Sequence, residues 1–271
     1  MAIVLLSTLA ATALAQDSPN DMMGGAASVD ITPPTGFPMW GYGDRHDMPS
    51  VGVMDALHAR ALVLQAGDDK VALVGLDLGR SPTRSSMATI RAAVQERAGV
   101  SAVMIVGSHT HHGPVIETES WPTPNAPYAR TLEQRIADVV VEAASTVTPA
   151  LVALDQRDIQ LNRNRHWKGD NPPLDQGLST LHLTAPDGRA IATLVNYAAH
   201  ATMHDSERLE FSGDYPGHMA RLVEEATGGV CVFMQGAAGD LSALPAGGRS
   251  AEGMGAQLAT EVLAALAEMQ P

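Results

Sequence analysis

Short apolar runs alternate along this chain with longer segments that repeat apolar residues at helical spacing. The runs are bounded by Gly, Pro or Asp, as buried strands usually are. The predicted strands are 71–76, 102–106, 178–184, 191–197 and 230–234, and the predicted helices are 85–98, 128–146, 217–226 and 250–269. Alternation of this kind predicts an α/β fold, with a mixed, largely parallel sheet covered by helices. Pro186-Asp187-Gly188, between the third and fourth strands, predicts a hairpin turn.

Several candidate functional residues follow directly on predicted strands, at whose carboxyl ends such folds gather their functional loops. His109 and His111 follow the second strand, in a loop that contains Gly and Pro. His200 follows the fourth strand, and Asp77 follows the first. Residues two apart on an extended chain point the same way, so His109 and His111 can face one point. Neutral imidazole is the commonest metal ligand and the usual general base. The pattern indicates a metal site or an acid–base site. The alternative interpretation is a polar loop whose histidines have only structural roles.

A loop of small residues, Gly236-Ala237-Ala238-Gly239, follows the last predicted strand. Small residues let backbone N–H groups approach a ligand closely. Asp240 and Ser242 are the reactive side chains of this loop. By itself the pattern is weak evidence, because most loops of this composition are ordinary turns.

Composition limits the classes of partner. The chain has 271 residues, 45% of them apolar, and a formal net charge of −13. This charge argues against nucleic acid as a partner and provides no attraction to anionic lipid surfaces. Cys231 is the one cysteine and lies in an apolar strand, so it is expected to be a buried small hydrophobe. Oligomeric state stays open at this point.

The N-terminal residues 1–15 are apolar and end in Ala13-Leu14-Ala15, a pattern typical of a secretory signal peptide. No Lys or Arg precedes the apolar stretch. The stretch is short for a membrane span, and no later run approaches that length. We therefore expect a signal peptide at 1–15, a linker at 16–26, a catalytic domain at 27–271 and a secreted or periplasmic protein without a transmembrane span after cleavage.

A series of short motifs runs from about Ala27 to the C-terminus. The motifs are Val29–Pro34, Met39–Tyr42, Asp55–Ala61, Gly75–Asp77, Ser108–His111, Leu161–Arg163, Asn196–His200, Ser212–Gly217 and Gly236–Ser242. In this order they resemble the neutral/alkaline (non-lysosomal) ceramidase family, and the chain looks closest to its shorter bacterial ceramidase-like proteins of unknown substrate. The ordered series is far more specific than any one motif.

The resemblance implies a zinc-dependent amidase that cleaves the N-acyl bond of ceramide or of a related small-molecule or lipid N-acyl substrate. By the same resemblance, His109 and His200 would be Zn²⁺ ligands. His111 would lie beside the reacting centre, Arg163 would stabilise the oxyanion and Ser242 would be the nucleophile.

The resemblance is incomplete in one respect that concerns the metal. Family enzymes take two further zinc ligands, a glutamate and a tyrosine, from sequence downstream of the Gly-Asp-Leu-Ser element, and these have no counterpart here. We expect Asp77 or Asp214 to supply a carboxylate instead, although each could equally be a loop-capping Asp. Two alternatives to the amidase are a metal-dependent esterase or lactonase and a non-catalytic ceramidase-like binding domain.

Overall fold

Two mixed β-sheets pack face to face in this protein, and each sheet carries a pair of helices on its outer side. The computed structural model describes residues 22–45, 48–117 and 126–269. The strands are β1 Met22–Asp30, β2 Gly52–Val53, β3 His58–Ala66, β4 Asp69–Leu76, β5 Ala102–Gly107, β6 Thr148–Pro149, β7 Leu151–Asp158, β8 Asn162–Asn164, β9 Gly177–Thr184, β10 Ala190–Tyr197, β11 Glu210–Phe211, β12 Val230–Gln235 and β13 Leu241–Ala243. The helices are α1 Arg84–Ala98, α2 Ala126–Ser145, α3 Asp214–Thr227 and α4 Ala251–Glu268.

The strand pairing confirms the mixed α/β class and corrects the expectation of a largely parallel sheet. The first sheet has the order β5-β4-β3-β1-β6 and the second has the order β12-β10-β9-β7. Within the described strands of these two sheets, only β4–β5 and β10–β12 pair in parallel. These two pairs are the ones that have a crossover helix, α1 or α3, between their strands. The pairs β3–β4 and β9–β10 are joined by tight turns at Gly67 and Gly188, so they must be antiparallel.

Apolar side chains fill the space between the two sheets. Leu62 of β3, Leu183 of β9 and Val232 of β12 are fully buried in this layer. Gly75 of β4 lies where a Cβ atom would come within 2.5 Å of the Phe233 carbonyl oxygen. A glycine at this point therefore allows the sheets to approach closely, and it holds the carboxyl ends of β4 and β12 near each other.

The four helices lie close to the predicted ranges. Helix α1 begins after Thr83, whose hydroxyl accepts a hydrogen bond from the Ser86 amide, and ends at Gly99 in the left-handed conformation. Helices α1 and α2 cover the first sheet, whereas α3 and α4 cover the second. Within the described ranges no helix is long and apolar enough to cross a membrane.

Strand β1 shortens the predicted linker. Residues 22–26 pair with β3 as part of β1, while residues 1–21, including the predicted signal peptide, lie outside the described residues. Small residues explain why this segment enters the sheet. A Cβ atom at Gly25 would lie 2.2 Å from the Ala143 carbonyl oxygen, so glycine lets β1 pass directly beneath α2.

Candidate metal centre

Three imidazoles converge near the carboxyl ends of two strands. His109 and His111 follow β5, and His200 follows β10. The ring centroids are 4.5 Å apart for His109–His200 and 5.1 Å apart for both His109–His111 and His111–His200. One nitrogen of each ring lies within 4.8 Å of the others, and in the described part of the chain this is the one such His/Cys/Asp/Glu group that could hold a metal ion. The strand-end histidines predicted to meet therefore do meet.

Two of the imidazoles are oriented by backbone carbonyl groups. His109 Nδ1 lies 2.8 Å from the Gly79 carbonyl oxygen, and His200 Nδ1 lies 3.0 Å from the Ala238 carbonyl oxygen. A carbonyl only accepts, so each Nδ1 must carry the proton, which leaves the Nε2 lone pair free. A hydrogen bond from Nδ1 to a carbonyl oxygen is typical of metal-bound histidine, because it selects the tautomer and holds the ring. The donor set therefore fits a metal ion that prefers imidazole ligands.

His109 itself has an unusual backbone conformation. Its φ of 64° lies in the left-handed region, which is uncommon for any residue other than glycine. Such strain persists only where the surroundings hold it, and it clusters at functional sites. Here the His109 amide donates to the Leu78 carbonyl oxygen at 3.0 Å. The loop after β4 thus holds both the backbone and, through Gly79, the ring of His109.

His111 is enclosed by aromatic rings, and both of its ring nitrogens are buried without a hydrogen-bond partner among the described residues. The rings of Trp40 and Tyr42 pack against it at centroid distances of 5.3 and 4.8 Å. Gly41 allows this contact, since a Cβ there would lie 2.7 Å from His111 Cα. Buried polar atoms without partners are rare and call for an explanation. A ligand or a metal at this point would supply the missing partner.

Burial keeps all three imidazoles neutral near pH 7. It lowers the pKa of His109 and of His200, although the carbonyl contact to each Nδ1 opposes the shift. For His111, burial and then the neighbouring imidazoles lower the pKa to about 3. Metal ligation requires neutral imidazole, so no proton has to be removed before an ion binds.

Ser242 and Arg163 lie opposite each other on a short antiparallel ribbon made of β8 and β13. An isolated parallel bridge pairs Ser242 with His200, and the His200 amide donates to the Leu241 carbonyl oxygen at 2.8 Å. Both Ser242 and Arg163 line a cavity of about 240 Å³. The structure thus brings the predicted nucleophile and the predicted oxyanion-binding residue together, directly beside a predicted ligand.

A second cavity near the histidines has a volume of about 320 Å³. His109 and His200 line it together with Gln235 and small residues of the loop after β12. The Gln235 amide nitrogen donates to the Ala199 carbonyl oxygen at 3.0 Å, whereas its Oε1 is buried without a partner in the described residues. Gln235 therefore presents an unused acceptor beside the histidines.

The two aspartates predicted as metal ligands do not belong to the histidine group in the described structure. Asp77 Oδ2 accepts from Arg60 Nη1 and from the His58 amide, both at 2.9 Å. Asp214 is fully buried at the start of α3 and accepts from the Met203 amide at 2.9 Å. Their contacts match the alternative weighed for each, a structural carboxylate that holds neighbouring chain. The third group of the cluster is instead the imidazole of His111.

Solved structures of other proteins share the fold of this chain. No protein-family model and no curated protein sequence matches the chain. The neutral ceramidase from Pseudomonas aeruginosa superposes on 92% of this chain and 45% of its own, with a TM-score of 0.81 and 19% identity. The chain has the neutral ceramidase fold. A ceramidase complexed with C2 also matches, with a TM-score of 0.80 and 19% identity over 92% of this chain and 44% of its own.

The structural match confirms, for the fold, the resemblance to ceramidases that the ordered motifs indicated. The chain spans less than half the length of the ceramidases that it matches. Within this portion, the motif residues His109, His111, His200, Arg163 and Ser242 all lie in one region.

Two residues that line the cavities beside the histidine group, Gln235 and Arg249, were not predicted from the sequence. Gln235 ends β12 directly before the small-residue loop, and that position was a usable signal. Arg249 lines the same cavity as Ser242, but it lies in a Gly/Arg/Ser stretch that carries no pattern of its own. Only the folding of the chain after β13 brings Arg249 to the cavity.

Proposed function

We propose that this protein is a zinc-dependent hydrolase that cleaves an N-acyl amide bond, in ceramide or in a related N-acyl lipid or amide. The observation that carries the proposal is the histidine group, in which one nitrogen of each of His109, His111 and His200 lies within 4.8 Å of the others and two of the rings are held by carbonyl groups. The ceramidase fold supports the substrate class, because the solved structures that share it are named as ceramidases.

His109 and His200 are the proposed ligands of the zinc ion. When bound there, zinc supplies Lewis-acid polarisation of the scissile carbonyl. The tethered rings need little rearrangement to bind the ion, because their orientation is already held by the Gly79 and Ala238 carbonyl groups.

The remaining site residues divide the chemistry between them. The Ser242 hydroxyl attacks the carbonyl carbon, and His111 moves the proton from this hydroxyl to the leaving amine. The Arg163 guanidinium donates to the carbonyl oxygen as negative charge develops there, a contribution of about 3 kcal/mol for a typical single donor. Water then hydrolyses the acyl ester on Ser242.

A second role for His111 is favoured by its own surroundings. Both of its ring nitrogens lack partners among the described residues, and a pKa of about 3 makes it a weak proton acceptor. As a third zinc ligand it would satisfy one of these nitrogens. Metal content separates the two roles, since His111→Ala keeps zinc if the residue moves protons and loses zinc if it is a ligand.

Elemental analysis combined with a panel of N-acyl amides and matched esters tests the proposal. We expect one zinc per chain and hydrolysis of amides. His200→Ala should lose the metal, whereas His182→Ala should keep it, because His182 lies on β9 with Nδ1 bonded to Thr193. Absence of zinc even after zinc is added would favour a non-catalytic binding domain. Hydrolysis of esters without amides would favour the esterase or lactonase alternative.

We also propose that the protein acts outside the cytoplasm, in the periplasm or as a secreted enzyme. The support is the apolar stretch 1–15 with its small-residue cleavage pattern. N-terminal sequencing of the mature protein from the periplasm or medium tests this location, and an intact Met1 in the cytoplasmic fraction would contradict it.

A further inference from the structure

In the part of the chain that the structure describes, the cavity beside Ser242 is lined by two arginines and by no acidic side chain. Its volume is about 240 Å³, and its described lining includes Arg163 and Arg249 but neither Asp nor Glu. This contrasts with a chain that has 30 acidic residues against 17 basic ones. Two uncompensated guanidinium groups at one small cavity indicate a binding site for an anion.

Neither arginine is neutralised by a carboxylate among the described residues. The Arg163 side chain makes no hydrogen bond or ion pair there. Arg249 donates to the backbone carbonyl oxygens of Thr202 and His204 and also contacts the Tyr42 hydroxyl, and none of these described partners is a carboxylate. Elsewhere arginines do find carboxylates, as Arg80 does with Glu117 and Arg157 with Asp155. Arg249 is exposed, and among the described residues its charge has no carboxylate partner.

The cationic cavity adjoins the histidine group through short connections. Ser242 lines the cavity, and its strand is bridged to His200. The His204 carbonyl oxygen that Arg249 contacts also accepts from the Tyr42 hydroxyl. Tyr42 in turn packs on His111 at 4.8 Å. An anion held by Arg249 would therefore belong to a molecule that reaches the reacting centre.

The cavity lined by His109 and His200 differs from it in chemistry. Its described lining consists mostly of small or apolar residues such as Val106, Gly236 and Ala238, with Ser81 and Gln235 as polar neighbours of the histidines. The arginine of this described lining, Arg80, is paired with Glu117. An N-acyl substrate has two ends, and the acyl end is the apolar one. The geometry thus assigns the acyl chain to the cavity lined by Gly236 and leaves the amine end for the cavity lined by Arg249.

We propose that Arg249, in the cavity that it lines together with Arg163, binds an anionic oxygen group, in its simplest form a carboxylate, on the amine side of the scissile bond. The preferred substrate class is then an N-acyl amino acid or a similarly acidic amide. The inference rests on the proposed amide hydrolysis. A guanidinium fork matches a carboxylate with two parallel hydrogen bonds, and such charge-assisted bonds are stronger than neutral ones.

Two substrates with the same acyl chain test this inference: N-octanoylglycine, which carries the carboxylate, and N-octanoylglycinamide, which does not. We expect the zinc-loaded full chain to favour N-octanoylglycine in kcat/KM by at least about tenfold, as a charge-assisted hydrogen bond predicts. In Arg249→Gln the preference should fall toward parity. Arg189→Gln is the matched control, because Arg189 is an exposed arginine at the distant β9–β10 hairpin. It removes the same charge and should keep the preference.

A binding measurement separates failure of the inference from failure of the proposed function. Calorimetry on zinc-loaded Ser242→Ala should show tighter binding of N-octanoylglycine than of its amide, and adding Arg249→Gln should abolish the difference. Preference that survives Arg249→Gln would show that Arg249 does not hold the carboxylate, and it would overturn the inference. Equal turnover and equal binding of both compounds would overturn it while leaving amide hydrolysis intact. Carboxylate-dependent binding without any hydrolysis would uphold the anion site and refute the amidase.

Discussion

Asp77 offers a direct test of whether a strand-end carboxylate is a metal ligand or part of the framework. In Asp77→Ala, Arg60 would lose one of its two carboxylate partners and the His58 amide would lose its acceptor. The Arg60 and Asp77 side chains are only 3% and 6% exposed, so the remaining charge would stay buried. Breaking a buried pair in this way typically costs 3–5 kcal/mol. Glu224 still contacts Arg60, so we expect a loss of about 3 kcal/mol in the free energy of unfolding.

The assay is urea unfolding of chelator-treated protein, so that bound metal does not contribute, followed by zinc analysis of the folded variant. Asp138→Ala is the matched control. Its pair with Arg97 has a similar distance, 2.8 Å, but the side chains are 61% and 44% exposed, and we expect a loss below about 1 kcal/mol. If Asp77→Ala is no less stable than Asp138→Ala and also fails to retain zinc, the carboxylate is a ligand and the ion-pair reasoning is refuted.

Three further predictions concern the metal and the substrate. Gly41→Ala should disturb His111, because the new Cβ would lie 2.7 Å from the His111 Cα and the φ of Gly41 is +126°. Urea unfolding should show a lower stability, and unchanged stability and activity would contradict the close packing. Zinc at about 100 times its dissociation constant should raise the unfolding free energy by about 2.7 kcal/mol, a gain that a chelator removes and that His200→Ala should not show. Short and medium N-acyl amides should be hydrolysed faster than long-chain ceramide in micelles, since the two cavities have volumes of only about 320 and 240 Å³. The opposite order of rates would indicate that long-chain ceramide is the substrate.

Local sequence was sufficient to locate the helices and most central strands. Apolar periodicity and caps act within a few residues, as at Thr83 and Gly99, so the ends of α1 could be predicted closely. The Pro-Asp-Gly turn likewise determined the β9–β10 hairpin. The ordered motifs were enough to indicate the fold, because they sample many separate points of the chain at once.

Tertiary structure decided the pairing of the strands and the partners of the charged groups. Whether β3 lies parallel or antiparallel to its neighbours depends on connections and on packing beneath α2, which periodicity does not encode. Asp77 and His109 both follow strands, yet Asp77 meets Arg60 whereas His109 meets His200 from a distant segment. A side chain takes the partner that the folded backbone brings within reach. Residues far apart in sequence become neighbours only through packing of the two sheets.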